Sequence, residues 1–402
     1  MPYTEKDYEI ANTAEAKVAR KRIKDFVSLG AKEQQRLIHH CAMNIPSDSY
    51  VPPSRMEFGV AGDANHHAVA TDTSPMLLTY FQGPPKDPKS TQQNVKLHQH
   101  ALWQLCDIVG LPRIWLNKIN VDSPTSWRRD LLVHDLNTLY QNTVLLNARK
   151  KPAEFLHRRV GNELRAVLTQ SYNRHLVSAA VLQPFLEVCE EVGLQACHAV
   201  VTDLKVGLQT YLPYAFEPIP GEFIAIGCWW GNSDFGQGKL RVSHTVMRIA
   251  NGSSLLTEDS FSRVHLGAVV TDTDLRMDDT VAIKELEAVA AATQSAVRSA
   301  IEPEQVKLLL DAITRAHEAT IHWLKLKDNL SKFLSKDEVQ SMEDVLNTGI
   351  TELPRAGVGA DGKPLPSRWW AAAAVAHLAE KQMDEGRSAE LKQAAGQFLE
   401  AK

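Results

Sequence analysis

The sequence predicts an α+β protein with a central antiparallel sheet and helices before, within and after it. The apolar period changes from 3.6 to 2 near Glu154 and reverts to helical spacing after Asp272. A run of strands between runs of helices points to α+β and away from a doubly wound parallel sheet. With 402 residues, 44% of them hydrophobic, the chain can form two or three domains and a full core, which excludes disordered and fibrous classes.

Four stretches follow: a helical N-terminal arm (1–50), a mixed and helical lead-in (51–150), an antiparallel β core (151–270) and a helical C-terminal region (271–402). In the arm, Lys17, Arg20, Lys21 and Lys24 share one helix face, a solvated stripe or a phosphate-contacting one, and the arm is expected to lie outside the core. Met76–Phe81 reads as extended and Gly83–Pro88 as a loop. Leu97, Ala101, Leu102, Leu105, Ile108 and Val109 make a helical stripe that Gly110 ends. Pro112 restarts a short helix, and Ser123-Pro124 starts another that runs through Leu132, Leu136 and Leu139. In the β core, Glu154–Val160 and Glu163–Gln170 flank a tight Gly161-Asn162 turn. A helix over Ser178–Val192 contains Pro184, which should kink or split it. Strands follow at Leu204–Leu212, Glu222–Trp230 and Lys239–Ile249. The first alternates so regularly that one face should meet a core and the other water or a ligand. The C-terminal region carries a stripe of Val306, Leu309, Leu310, Ile313, Ala316 and Leu324, then an alanine-rich helix over Trp369–Leu378.

The formal net charge is −4, so any nucleic-acid surface must be local. Five scattered cysteines without a C-x-x-C pair suggest neither a zinc ribbon nor a disulfide framework, and point to a reducing, cytoplasmic setting. The N-terminus lacks the apolar core of a signal peptide. The longest greasy run, Trp369–Ala379, falls short of the roughly 20 residues that span a bilayer, so no membrane association is expected.

Motifs of catalysis are weak throughout. Gly357-Val-Gly359-Ala-Asp-Gly362 has the letters of a dinucleotide fingerprint, but its flanking prolines make it a loop. Gly231–Lys239 has the glycines of a phosphate loop with its lysine mis-spaced and Leu240 where a hydroxyl should hold magnesium, so it reads as an inter-strand turn. His66-His67 and His98-x-His100 cluster near Asp63, but adjacent histidines on a strand face opposite ways, and neither a metal site nor a cofactor is expected. His244, between Val242 and Val246, reads as a core histidine. Asp203, Lys205 and Glu222 are the one set that metal-dependent nuclease chemistry could use. No catalytic residue is assigned.

The stronger constellation is polar. Lys239, Arg241, Ser243 and Thr245 alternate on one side of a strand; Lys205, Gln209 and Tyr211 do so on an earlier strand, and Glu163, Arg165 and Thr169 on the hairpin. Arg149–Lys151 and Arg158-Arg159 add charge, and Trp229, Trp230, Tyr214 and Phe216 add rings. Cations for phosphates with rings for bases are what single-stranded nucleic acid needs. The candidate nucleic-acid-binding residues are therefore Arg158, Arg159, Arg165, Lys205, Tyr211, Trp229, Lys239 and Arg241. The alternative is a solvated face with core tryptophans.

Leu164–Tyr172, Asn232-Ser-Asp-Phe-Gly236 and Arg248-Ile-Ala-Asn-Gly252 resemble the phage- and plasmid-related family called domain of unknown function 932. Ala101–Leu105, Gly110–Pro112 and Asp135–Asn137 resemble its helical lead-in, and Ser367–Trp369 with Ala371–Ala376 its closing helix, so that about residues 95–380 are covered. Ala250 and Gly221-Glu222 depart from its pattern. The resemblance implies a phage or mobile-element protein and no catalytic residue. The expected function is binding or annealing of single-stranded DNA in recombination or replication, by a homo-oligomer. The alternatives are a protein that inhibits a host factor and the nuclease.

Overall fold

A computed structural model describes residues 3–10, 12–60, 76–82, 91–112, 131–140, 154–169, 172–265, 279–348, 357–358, 364–382 and 384–400. The fold is α+β, with two six-stranded sheets that are antiparallel except at one junction. The expected loop at Gly83–Pro88, the short helix after Pro112, the helix start at Ser123-Pro124 and the His66-His67 pair lie outside the described residues.

The first sheet contains β1 (Ser47–Val51), β2 (Met56–Val60), β3 (Met76–Gln82), β4 (Thr91–Leu97), β5 (Phe155–Val160) and β6 (Glu163–Leu168), in the order β1-β5-β6-β4-β3-β2. Gly161-Asn162 does turn the β5–β6 hairpin, and β4 joins β6 in parallel. Helix α2 (Gln99–Ile108) buries Ala101, Leu102 and Leu105 under this sheet beside helix α3 (131–140), which contributes Leu132, Leu136 and Tyr140.

The second sheet runs β12 (Ser254–Arg263), β11 (Leu240–Arg248), β10 (Glu222–Asn232), β8 (Val206–Tyr211) and β7 (Gln195–Val201), with β9 (Phe216–Ile219) on β10. One face carries Leu208, Ile224, Ile226, Trp230, Val242 and Val246 into the main core. That core is completed by α4 (Ser178–Val192), α5 (Asp279–Ala300), α6 (Pro303–Glu318), α7 (Trp323–Leu330), α8 (Lys336–Thr348), α9 (Arg368–Glu380) and α10 (Glu385–Glu400). Pro184 sits inside α4 without dividing it. A single lost amide bond is outweighed there by Val181, Leu182, Phe185 and Val188, all buried. Val358 and Pro364 pair in a two-residue ladder, β13 (Gly357–Val358) with β14 (Pro364–Leu365), and the glycine-rich letters between them lie outside the described residues.

Three expectations need correction. The N-terminal segment is not outside the core. Helix α1 (Ala14–Met43) buries Ala16, Ala19, Ile23, Leu37 and Cys41, lies against β7, and sets Ile23 on Tyr211, Ala225 and Met247. The β5–β6 hairpin does not extend the sheet of β8, β10 and β11, but pairs with β1 and β4. The face of β8 expected to meet water is closed, and every residue of that strand is buried. Strand alternation shows which residues share a face, and only long-range packing decides what covers it.

Candidate functional site

Where the two sheets meet, Asn232-Ser-Asp-Phe-Gly236 leaves β10 and turns toward β11. Its side chains belong to a buried polar network. Asn232 donates to the Leu176 carbonyl (3.1 Å) and Ser178 Oγ (3.0 Å), and its carbonyl accepts from His265 Nε2 (2.8 Å). Ser178 donates its amide and hydroxyl to Asp234 Oδ1 at 2.7 and 2.8 Å. The Asp234 carbonyl accepts from Arg158 Nη1 at 2.6 Å, and Arg158 Nε also donates to Asp48 on β1 at 2.9 Å. The Tyr172 ring lies between Arg158 and His265, stacked on the latter at 5.2 Å. Gly236 holds the turn at φ +77°, a left-handed conformation that glycine adopts without a Cβ penalty.

This network redefines two of the eight candidate residues. Arg158, fully buried with its donors taken up by Asp48, Asp234 and Arg174, joins the sheets and cannot meet a phosphate. Tyr211 is fully buried, its hydroxyl bonded to Thr245 Oγ1 at 3.0 Å. The polar face of the second sheet is a closed layer: Gln209 donates to Ser254 Oγ (3.0 Å), and Ser243 and Thr245 are wholly covered. Arg159 stands on the first sheet with Gln93 (3.0 Å). Arg165 ties Glu163 (3.0 Å) to Asn44 (3.2 Å) at the end of α1.

The remaining four residues do converge. Lys205, Trp229, Lys239 and Arg241 line a cleft of about 700 Å³ between the start of α2, the β7–β8 and β10–β11 connections, and the first half of α10. Trp103 lines the α2 wall, and Arg387, Glu390 and Gln393 the α10 wall. Arg241 donates to Gln393 Oε1 at 3.0 Å. Asp203 and Asp384 add negative charge, so the lining residues carry four firm cations against three carboxylates.

Trp229 is a wall and not a stacking platform. Only 5% of it is exposed, and its indole lies across Gly207 and Gly231, register partners on β8 and β10. A methyl group at Gly207 would overlap the ring, and one at Gly231 would come within 2.9 Å of Nε1. Two glycines in register thus make room for the ring, a relation that no local motif reveals.

At the α2 entrance His98 caps the helix, its Nδ1 accepting the His100 amide at 3.1 Å, and burial draws its imidazole below the usual range. His100 Nε2 donates to the Phe235 carbonyl at 2.9 Å. Among the described residues no group of three or more His, Cys, Asp or Glu side chains could hold a metal ion. The nuclease triplet is not assembled. Asp203 lies near the Asn232 end of β10, and Glu222 begins that strand about 30 Å away at ~3.3 Å per residue. Glu222 is held there by Arg248 at 2.5 and 3.0 Å. The five cysteines are free thiols.

Sequence reasoning missed Trp103, Arg387 and Gln393. They lie more than 100 residues in sequence from their cleft neighbours on β10 and β11, and nothing local marks them. Fold and cleft together define an α+β protein with a mixed-charge site at the junction of two sheets. No family model, no curated protein and no solved structure matches the chain. Among the described residues no helix is long and apolar enough to cross a membrane.

Proposed function

We propose that the chain is a single-stranded nucleic-acid-binding protein, acting in phage or mobile-element recombination or replication, that holds a short stretch of strand in the inter-sheet cleft. The observation that carries this reading is the convergence on one cavity of Lys205 from the β7–β8 connection, Lys239 and Arg241 from the start of β11, and Arg387 from α10. Arg387 is also bonded to Glu338 at 2.9 Å and to the Phe333 carbonyl at 2.7 Å. Contact is through phosphates. Stacking on Tyr211, Trp229 or Trp230 is excluded by their burial, so only the end of the sheet face, where Trp229 and Arg241 line the cleft, belongs to the site.

The magnitude of the charge bounds the affinity. Each phosphate neutralised on a single strand contributes about 0.7 to the log–log salt slope, so four cations allow a slope no steeper than roughly −2.8. A cleft of about 700 Å³ is the size of an ordinary ligand site and takes only a few nucleotides of a strand. Titration of labelled oligothymidylate at several salt concentrations tests this directly. Binding with a shallow slope, weakened and flattened when Lys239 and Arg241 are both changed to Ala, is the expected result. Absence of binding at low salt overturns it and favours an interaction protein directed at a host factor.

A further inference from the structure

The buried indole nitrogens of Trp103, Trp229, Trp230 and Trp369 have no hydrogen-bond partner among the described residues. Trp230 and Trp369 are fully buried in the main apolar core, where no ligand reaches them. Trp103 and Trp229 are different. They come from the layers of the two separate sheets, and both line the inter-sheet cleft. The Trp229 nitrogen lies beside Gly231, whose register partner on β11 is Arg241. A donor buried without an acceptor is costly, and such groups in native proteins ordinarily meet an acceptor from solvent or ligand.

We propose that the N–H groups of Trp229 and Trp103 are neutral donors to phosphate oxygens in this cleft, with Arg241 beside Trp229 supplying the charge. The proposal rests on the cleft reading above and extends it to the chemistry of recognition. An indole N–H donates and never accepts, so it selects an oxyanion acceptor over a cationic or donor-only group. It carries no charge, so it contributes affinity without releasing a counterion. That separates its signature from that of the lysines and arginines.

The test is calorimetric titration of the full chain with two probes, an oligothymidylate of roughly ten nucleotides and inorganic pyrophosphate, over a range of salt. Trp229→Phe and Trp103→Phe keep an aromatic ring and remove the N–H. Each variant is expected to bind about 3- to 10-fold more weakly, the worth of one neutral hydrogen bond, with the salt slope unchanged. Arg241→Ala should weaken binding and also flatten the slope by about 0.7. Both Phe variants binding oligothymidylate like the parent, at parent melting temperature, would overturn the indole proposal and leave the cleft reading standing. Pyrophosphate bound by the parent and weakened in the Phe variants, with no oligothymidylate binding, would support the subsite while removing nucleic acid as its ligand. Binding of neither probe would overturn both. Should Trp229→Phe fail to fold, Trp103→Phe on the opposite wall decides the matter, since parent-like binding by it alone would overturn the paired-donor arrangement.

Discussion

Gly236 shows how much one residue can decide at the inter-sheet junction. Its positive φ and its contact with the β6 side chain Leu168, whose Cδ2 would lie 2.6 Å from an added Cβ, leave no room for a branched side chain. Gly236→Val is expected to lower unfolding free energy by about 1–3 kcal/mol through backbone strain, measured by urea denaturation against Gly238→Val, whose added Cβ would meet Ser233 Cβ at an ordinary 3.5 Å. Equal stabilities would refute the role given to the turn. Arg158 is the other decisive residue. Arg158→Met should cost about 3–5 kcal/mol, because Asp48 and the Asp234 and Arg174 carbonyls would be left buried without a donor. Loss below about 1 kcal/mol would mean that water replaces the guanidinium.

Two histidines on either side of the junction give its elements a pH response. Burial holds His157 on β5 down to about 3 and His265, after β12, down to about 4. Both are neutral when folded and take up protons near pH 6.5 when unfolded. Depressed folded values stabilise the protein above pH 6.5, and that stability is lost as pH falls toward 4. Between pH 6.5 and 5 each histidine should remove about 1.6 kcal/mol, so unfolding free energy should fall by roughly 3 kcal/mol in all. The double variant His157→Gln, His265→Gln should flatten the profile over that interval. An equally steep loss in the double variant would assign the acid sensitivity to other groups. The local elements were largely legible: helices α2 and α4 and the Gly161-Asn162 hairpin follow from period, capping and turn residues. Strands β7 and β12 were not, because Gln195–Val201 and Ser254–Arg263 lack clean alternation and owe their state to the neighbours β8 and β11.

At the scale of the whole molecule the open matter is assembly. Annealing holds many bases at once, and a cleft of this size takes few, so annealing would require several copies acting together. Light scattering at micromolar concentration is expected to show a homo-oligomer that higher salt loosens. A monomer with and without single-stranded DNA would count against annealing and leave a binding protein. Removing residues 1–28 would destabilise the fold itself, since Tyr8, Ala16, Ala19 and Ile23 are buried in the core. The basic stripe is also partly engaged, with Arg20 bonded to Glu5 at 2.8 Å.

The class of fold and most helices follow from the sequence because period, caps and turn residues act over a few neighbouring positions. Lys205, Lys239 and Arg241 could be named among the candidates for the same reason: alternation on a strand sets their side. What the tertiary structure alone decided is which sheet each strand joins and what covers each face. The β5–β6 hairpin pairs with strands more than 50 residues upstream, which removes Arg158, Arg159 and Arg165 from the sheet that carries the cleft. Helices α1 and α10, from the two ends of the chain, pack against β7 and β12. With Tyr211, Ser243 and Thr245 fully buried, the polar strand face becomes a hydrogen-bonded interior, and only its end remains as a site. Such contacts depend on buried area summed over distant segments, and that sum has no local signature in the chain.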